Sequence, residues 1–214
     1  MCVIDVQGKY KPERVKEQVR KMKKVELVFI PAPGAGHLVS ALQFTKRLID
    51  RDDRILITVL AIQSPFRTTL SSYTESIAAS EPRIRVIDVQ QPQDHQPPQE
   101  TYHSLEKFIT LYIEGHVPNV KKIITNLVSS NANSMDSIRV AALVVDFFCV
   151  SMIYVAKELN LPSYLFMTSN AGYLALMLQL LILHEKNQIA VEESDPEWLI
   201  PGMFVTITGP FECV

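Results

Sequence analysis

The sequence predicts an α/β protein built on a doubly wound parallel sheet, and three observations carry that expectation. Short β-branched, apolar runs recur along the chain and alternate with stretches of helical spacing. One of these runs, Val140–Val145, is apolar at every position, as a strand covered on both faces should be. Hydrophobic residues make up 47% and charged residues 21% of 214, the balance of a globular chain long enough to bury a substantial core.

Each element follows from its own residues. Val25–Ile30 is the first strand, stopped by Pro31, and 31–37 is a turn-rich loop. Leu38, Leu42, Leu48 and Ile49 space out a helix from Leu38 to about Asp50. A second strand spans Ile55–Ala61, a polar helix about Thr68–Ala79, and a third strand Ile84–Val89. Gln90–Gln99 has no packing pattern and carries Pro92, Pro97 and Pro98, so it is an exposed loop. A helical stretch from about Tyr102 to Val128 should bend or divide at Pro118. Ser129–Ser137 reads as a second polar loop, and Val140–Val145 as a central strand. A helix to about Leu159, a strand Ser163–Met167 and an apolar helix from about Asn170 to Lys186 complete the order, before a Pro-rich, irregular end. Such alternation implies right-handed crossovers with helices on both faces.

Charge and cysteine content narrow the classes of function. The net charge of −2 gives the whole chain no electrostatic footprint for nucleic acid. Residues 1–24 are nonetheless net +5, so the rest carries −7. This basic leader has no apolar stretch of signal-peptide length, and its acids do not suit a transit peptide; it reads as a solvated arm. Cys2, Cys149 and Cys213 lie far apart, which indicates neither a zinc site nor a disulfide framework but reduced thiols in a cytoplasmic protein. The longest apolar stretch, Ala171–Leu183, is too short to span a bilayer, so no integral membrane segment is expected.

In open parallel sheets ligands bind beyond the carboxyl ends of the strands. His37 after the first strand, Asp146 ending the fourth and Thr168 after the fifth are the polar residues at those ends, with Gly34 and Gly36 allowing close approach. A carboxylate beside His37 would hold a neutral, oriented imidazole ready to accept a proton. Asp146 is the available partner, and it needs one if buried. The alternative leaves His37 as a helix-capping residue and Asp146 as the N-cap of the next helix. Gly34–Gly36 lacks both a dinucleotide fingerprint and a phosphate-loop Lys. Asp50 and Asp52 fall at the opposite end of the sheet as a solvated charge cluster. His95, His103 and His116 lack ligand spacing and read as surface residues.

Three blocks in consistent order resemble plant secondary-product UDP-glycosyltransferases: Phe29–Leu38, Leu143–Cys149 with Val155–Leu159, and Leu161–Tyr173, with Pro201-Gly202 at a further matching place. The resemblance covers roughly Met22 to Pro201. It implies the N-terminal, Rossmann-like half of a metal-independent, inverting GT-B enzyme, with UDP-sugar as co-substrate and no cofactor. His37 would be the general base and Asp146 its orienting partner. Thr168 and Gly36 would bind the donor; Phe147, Phe148, Met177 and Tyr102 would line a pocket for a flavonoid, another phenolic or a terpenoid. Residues 1–21 precede the family's usual start and form an atypical extension, leaving 22–214 as the acceptor-binding domain. The family's donor-domain signature is missing: the only Trp, Trp198, lies outside any such context. Tyr154 departs from a family position that is usually polar or acidic. A second function therefore stands beside glycosyl transfer, that of a catalytically incompetent module that binds a small molecule or pairs with a complete homologue.

Overall fold

The computed structural model describes residues 24–66, 76–77, 80–92, 97–132, 138–185, 198–199 and 206–207. The basic arm 1–21, His95 and Pro201-Gly202 lie outside the described residues, as does most of the helix expected at 68–79. The chain forms two compact units divided after Phe166.

The first unit is built on five strands: β1 (Val25–Ile30), β2 (Ile55–Ile62), β3 (Ile84–Val89), β4 (Arg139–Asp146) and β5 (Ser163–Phe166). All pair in parallel, in the order β3-β2-β1-β4-β5. The helices are α1 (Ala35–Ile49), α2 (Leu105–Gly115), α3 (Val117–Ala132) and α4 (Ile153–Glu158), with 3₁₀ turns at Gln99–His103 and Phe147–Met152. In the second unit α5 spans Ala171–Glu185, and β6 (Trp198–Leu199) pairs antiparallel with β7 (Thr206–Ile207). The ending expected to be irregular thus contains a short ladder.

Alternation along β1 explains the double winding, because successive side chains leave a strand on opposite faces. Val28 and Ile30 join one buried cluster with Leu60, Leu143, Val145, Ile113, Val120 and Ile124. Phe29 joins the other with Ala41, Leu42, Ile49, Ile57 and Val59, which seats α1. Each face thus has its own layer of helix. Glu26, a buried acid within the sheet, is satisfied across three strands: it accepts from the Thr58 hydroxyl at 2.5 Å and from Arg85 at 3.0 Å.

Several boundaries differ from expectation for local reasons. The carbonyl of Gly34 accepts from Leu38 N–H at 3.1 Å, so α1 begins at Ala35 and takes Gly36 and His37 into its first turn. The long helix divides at His116, two residues before Pro118, which stands where a missing N–H costs nothing. Helix α3 continues through Ser129 and Ser130, the start of the expected polar loop. The Thr125 and Ser130 hydroxyls donate to the carbonyls of Lys121 and Asn126, so these polar side chains are satisfied inside the helix. The segment after β4 is a 3₁₀ turn before it is a helix, with Cys149 at φ −99°, ψ 24°. It ends at Asn160, whose φ of 52° is a left-handed stop that Asn tolerates.

His116 is a correction: it is buried rather than on the surface. Phe108, Tyr112 and His116 recur at four-residue spacing and share one helix face. The His116 ring lies 4.8 Å from that of Tyr112, and its Nδ1–H donates to the Tyr112 carbonyl at 2.8 Å. That spacing was the signal for burial.

Candidate active site

The strand order reverses between β1 and β4. Chain leaving β1 crosses to β2 on one side, while chain leaving β4 crosses to β5 on the other. Their carboxyl ends therefore open a crevice between the two diverging crossovers. Register places Ile30, the last residue of β1, against Val145. His37 lies one loop beyond Ile30 and Asp146 one residue beyond Val145, so the topology delivers both to the same crevice.

They meet there. His37 Nδ1 lies 2.9 Å from Asp146 Oδ2. A carboxylate only accepts, so Nδ1–H donates, and in the neutral imidazole Nε2 is left with its lone pair. The Asp146 side chain is 0% exposed and that of His37 29%, so the carboxylate is sealed while the imidazole is partly open to solvent. Oδ1 of the same carboxylate accepts from the Phe148 backbone N–H at 3.1 Å, opening the 3₁₀ turn. Asp146 is thus the N-cap and the imidazole's partner at once, one oxygen to each task. Both contacts considered for this residue from the sequence, to the imidazole and to the turn that follows, are present.

The aromatic residues after Asp146 frame the imidazole. The Phe148 ring stands edge-on to that of His37, with centroids 5.5 Å apart at 80°, and Phe147 braces Phe148 at 5.2 Å and 72°. Cys149, also in this turn, is fully buried. Burial, and secondarily the neighbouring Asp146 charge, push its thiol far above the ordinary range, so it is inert as a nucleophile.

Gly36 is exposed in the first turn of α1, and a Cβ built on it would meet nothing within 4 Å. Packing within the chain therefore does not require a glycine here. Tyr102 is exposed and sits with a different group: its ring is 5.2 Å from Phe108, which in turn neighbours Phe66 at 5.9 Å and Tyr112 at 6.1 Å. Helix α2, which carries Phe108, packs on the 147–152 turn, so this aromatic group adjoins the crevice residues. Phe66 and Phe108 escaped the sequence reading; the four-residue spacing of 108, 112 and 116 marked the latter, and nothing marked Phe66. Thr168 and Met177 belong to the second unit, where Met177 lies in α5 and Thr168 precedes the Asn170 side chain that caps that helix through Tyr173 N–H at 2.9 Å.

At the other end of the sheet, Asp52 pairs with Arg54 at 2.5 Å, consistent with a solvated charge cluster. The Arg54 side-chain and backbone hydrogen bonds lower the Asp52 carboxyl to about 2. Among the described residues no group of three or more His, Cys, Asp or Glu side chains could hold a metal ion, and no helix is long and apolar enough to cross a membrane.

No protein-family model matches the chain. Individual proteins do. UDP-glycosyltransferase 71K2 of Pyrus communis is 80% identical over 182 residues, covering 85% of this chain and 38% of that protein. Flavonol 3-O-glucosyltransferase UGT71C4 of Arabidopsis thaliana is 38% identical over 195 residues, covering 89% and 40%. Among solved structures, Medicago truncatula UGT71G1 complexed with UDP-glucose superposes with a TM-score of 0.72 at 41% identity, covering 86% of this chain and 38% of that one. The chain thus spans about two fifths of the length of the relatives it matches. It belongs to the plant family-1 UDP-glycosyltransferases, and its five-stranded parallel sheet corresponds to the N-terminal part of their GT-B fold.

Proposed function

We propose that this chain supplies the acceptor-binding, base-bearing half of an inverting glycosyl transfer from a UDP-hexose, glucose by preference, in the cytosol. The observation that carries the reading is the 2.9 Å bond between His37 and the sealed Asp146 carboxylate at the switch point of the sheet. Nε2 of His37 takes the proton of an acceptor hydroxyl as the oxygen attacks C1 of the sugar. The C1–oxygen bond to UDP breaks as the new one forms, UDP leaves with the electron pair, and attack from the opposite face inverts the anomeric centre. Asp146 fixes the tautomer and stabilises the imidazolium that results, as the acid of a hydrolase triad does. No step calls for a metal.

Phe147 and Phe148 give the crevice apolar walls suited to a flat phenolic acceptor, and the Tyr102 group extends them. The relatives point the same way: one is a flavonol 3-O-glucosyltransferase and one was solved with UDP-glucose. Gly36 is assigned to the donor, because its missing Cβ leaves unfilled space at the helix terminus.

A second reading, in which these 214 residues bind an acceptor without turning it over by themselves, rests on the aromatic walls beside His37. Calorimetry and a transfer assay test acceptor binding and turnover separately. The 214-residue chain should take up a flavonol with measurable heat, bind UDP-glucose weakly and transfer negligible sugar alone. No heat with any member of a phenolic panel would contradict acceptor binding, and robust transfer by the chain alone would contradict the division of labour.

A further inference from the structure

We propose that Tyr112 is a positioning residue for the acceptor: its hydroxyl pins the root of the 63–66 arm, and the arm sets where Phe66 stands in the aromatic group beside the crevice. The inference rests on that crevice being an acceptor site. Tyr112 lies buried in α2, its ring flanked by Phe108, stacked at 6.1 Å and 20°, and by His116 at 4.8 Å. A phenol so enclosed needs a partner for its O–H. It donates at 2.9 Å to the backbone carbonyl of Gln63, the first residue past the end of β2. Burial raises the phenol above its ordinary range, so it keeps the proton it donates.

The arm is short and stiff, so fixing its root steers its tip. The Pro65 ring restricts its backbone, and Phe66 N–H closes a turn on the Ser64 hydroxyl at 3.2 Å. At the tip the exposed Phe66 ring meets Phe108 at 5.9 Å, and Phe108 meets the exposed ring of Tyr102 at 5.2 Å. Three rings thus converge on α2, which packs on the 147–152 turn. The ladder between β2 and β3 ends at Ile62 and Val89. A side chain of the α2–α3 pair grips the carbonyl just past each end: Tyr112 at Gln63, and Asn119 at Gln90, both at 2.9 Å. Gln63 is three residues from Phe66, whereas Gln90 is twelve from Tyr102, which makes the second grip the control for the first.

The test uses the 214-residue chain with isotope-labelled aromatic rings and two readouts. Tyr112→Phe deletes one oxygen and keeps the ring between Phe108 and His116. It should abolish the nuclear Overhauser contact between the Phe66 and Phe108 rings, while the contact between the rings at 108 and 112 stays. Calorimetry with a flavonol should show Kd raised about 2- to 10-fold, the cost of ordering one freed side chain on binding. Asn119→Ala removes the neighbouring grip and should change neither readout. Pro65→Gly loosens the arm with the Tyr112 hydroxyl in place and should reproduce both losses; it decides the matter if Tyr112→Phe folds poorly. Either readout at its wild-type value in the deciding variant overturns the proposal, as does an equal loss of affinity in Asn119→Ala. A wild-type chain that shows the ring contact yet takes up no phenolic would instead sink the acceptor reading, and the role of Tyr112 with it.

Discussion

Asp146→Asn removes one acceptor from a residue that uses two. Oδ2 takes the His37 Nδ1–H at 2.9 Å and Oδ1 takes the Phe148 N–H at 3.1 Å. Asparagine has a single oxygen, and as an N-cap it equals aspartate, whereas losing the cap costs about 1 kcal/mol. The oxygen should therefore stay with Phe148, turning the amide NH₂ toward His37. A donor facing Nδ1 requires Nδ1 to accept, so the proton moves to Nε2 and the lone pair no longer faces the acceptor. Triad enzymes lose roughly 10⁴-fold in turnover to the same change, or about 5.5 kcal/mol of barrier. Stability should change little, with melting within about 4 °C of wild type, because cap and packing remain. Ring ¹⁵N shifts of His37, at a pH where the imidazole is neutral, read the tautomer directly. Wild type should show Nε2 unprotonated and Asp146→Asn should show it protonated. An unswitched tautomer in the variant would refute the reasoning.

Other consequences follow from single features. Gly36→Ala places a better helix former in α1 at no steric cost, so it should stabilise by about 0.5–1 kcal/mol and raise melting by roughly 1–4 °C; it should also weaken UDP-glucose binding, and unchanged calorimetric affinity would remove Gly36 from the donor site. Asp52, lowered to about 2 by Arg54, contributes stability that is fully present above its ordinary value of 3.8 and lost as pH falls through about 2. Wild type should therefore exceed Asp52→Asn in melting temperature at pH 6, with the gap closing toward pH 2. Cys149, buried with a raised thiol, should resist alkylation at pH 8 in the native chain and react fully once urea unfolds it, as peptide mass spectrometry can follow. Leu42→Ala, which opens a cavity beneath α1, should cost about 2–5 kcal/mol in urea unfolding.

Strand positions were legible because a parallel sheet buried on both faces writes itself as apolar runs; Val140–Val145 and Ile55–Ala61 each fall within a residue or two of the observed strand. His37 and Asp146 were legible for a topological reason, since each ends or follows a strand beside the switch point. What was not legible involves competition between local hydrogen bonds. The start of α1 moved because Gly34 could offer its carbonyl, and α3 absorbed Ser129 and Ser130 because hydroxyls can bond back along a helix. The double duty of Asp146 was posed as a choice, because residue spacing does not reveal that its two oxygens face different partners. The contact between Phe148 and His37 joins residues 111 positions apart and left no mark on the pattern of either segment.

The central claim is that His37 removes the acceptor proton. Its most direct test joins this chain to the remaining C-terminal part of the pear relative and follows initial rates of flavonol glucosylation from UDP-glucose. His37→Ala should lower kcat about 10²–10⁴-fold while leaving flavonol affinity largely intact. A variant that turns over at the wild-type rate would contradict the account.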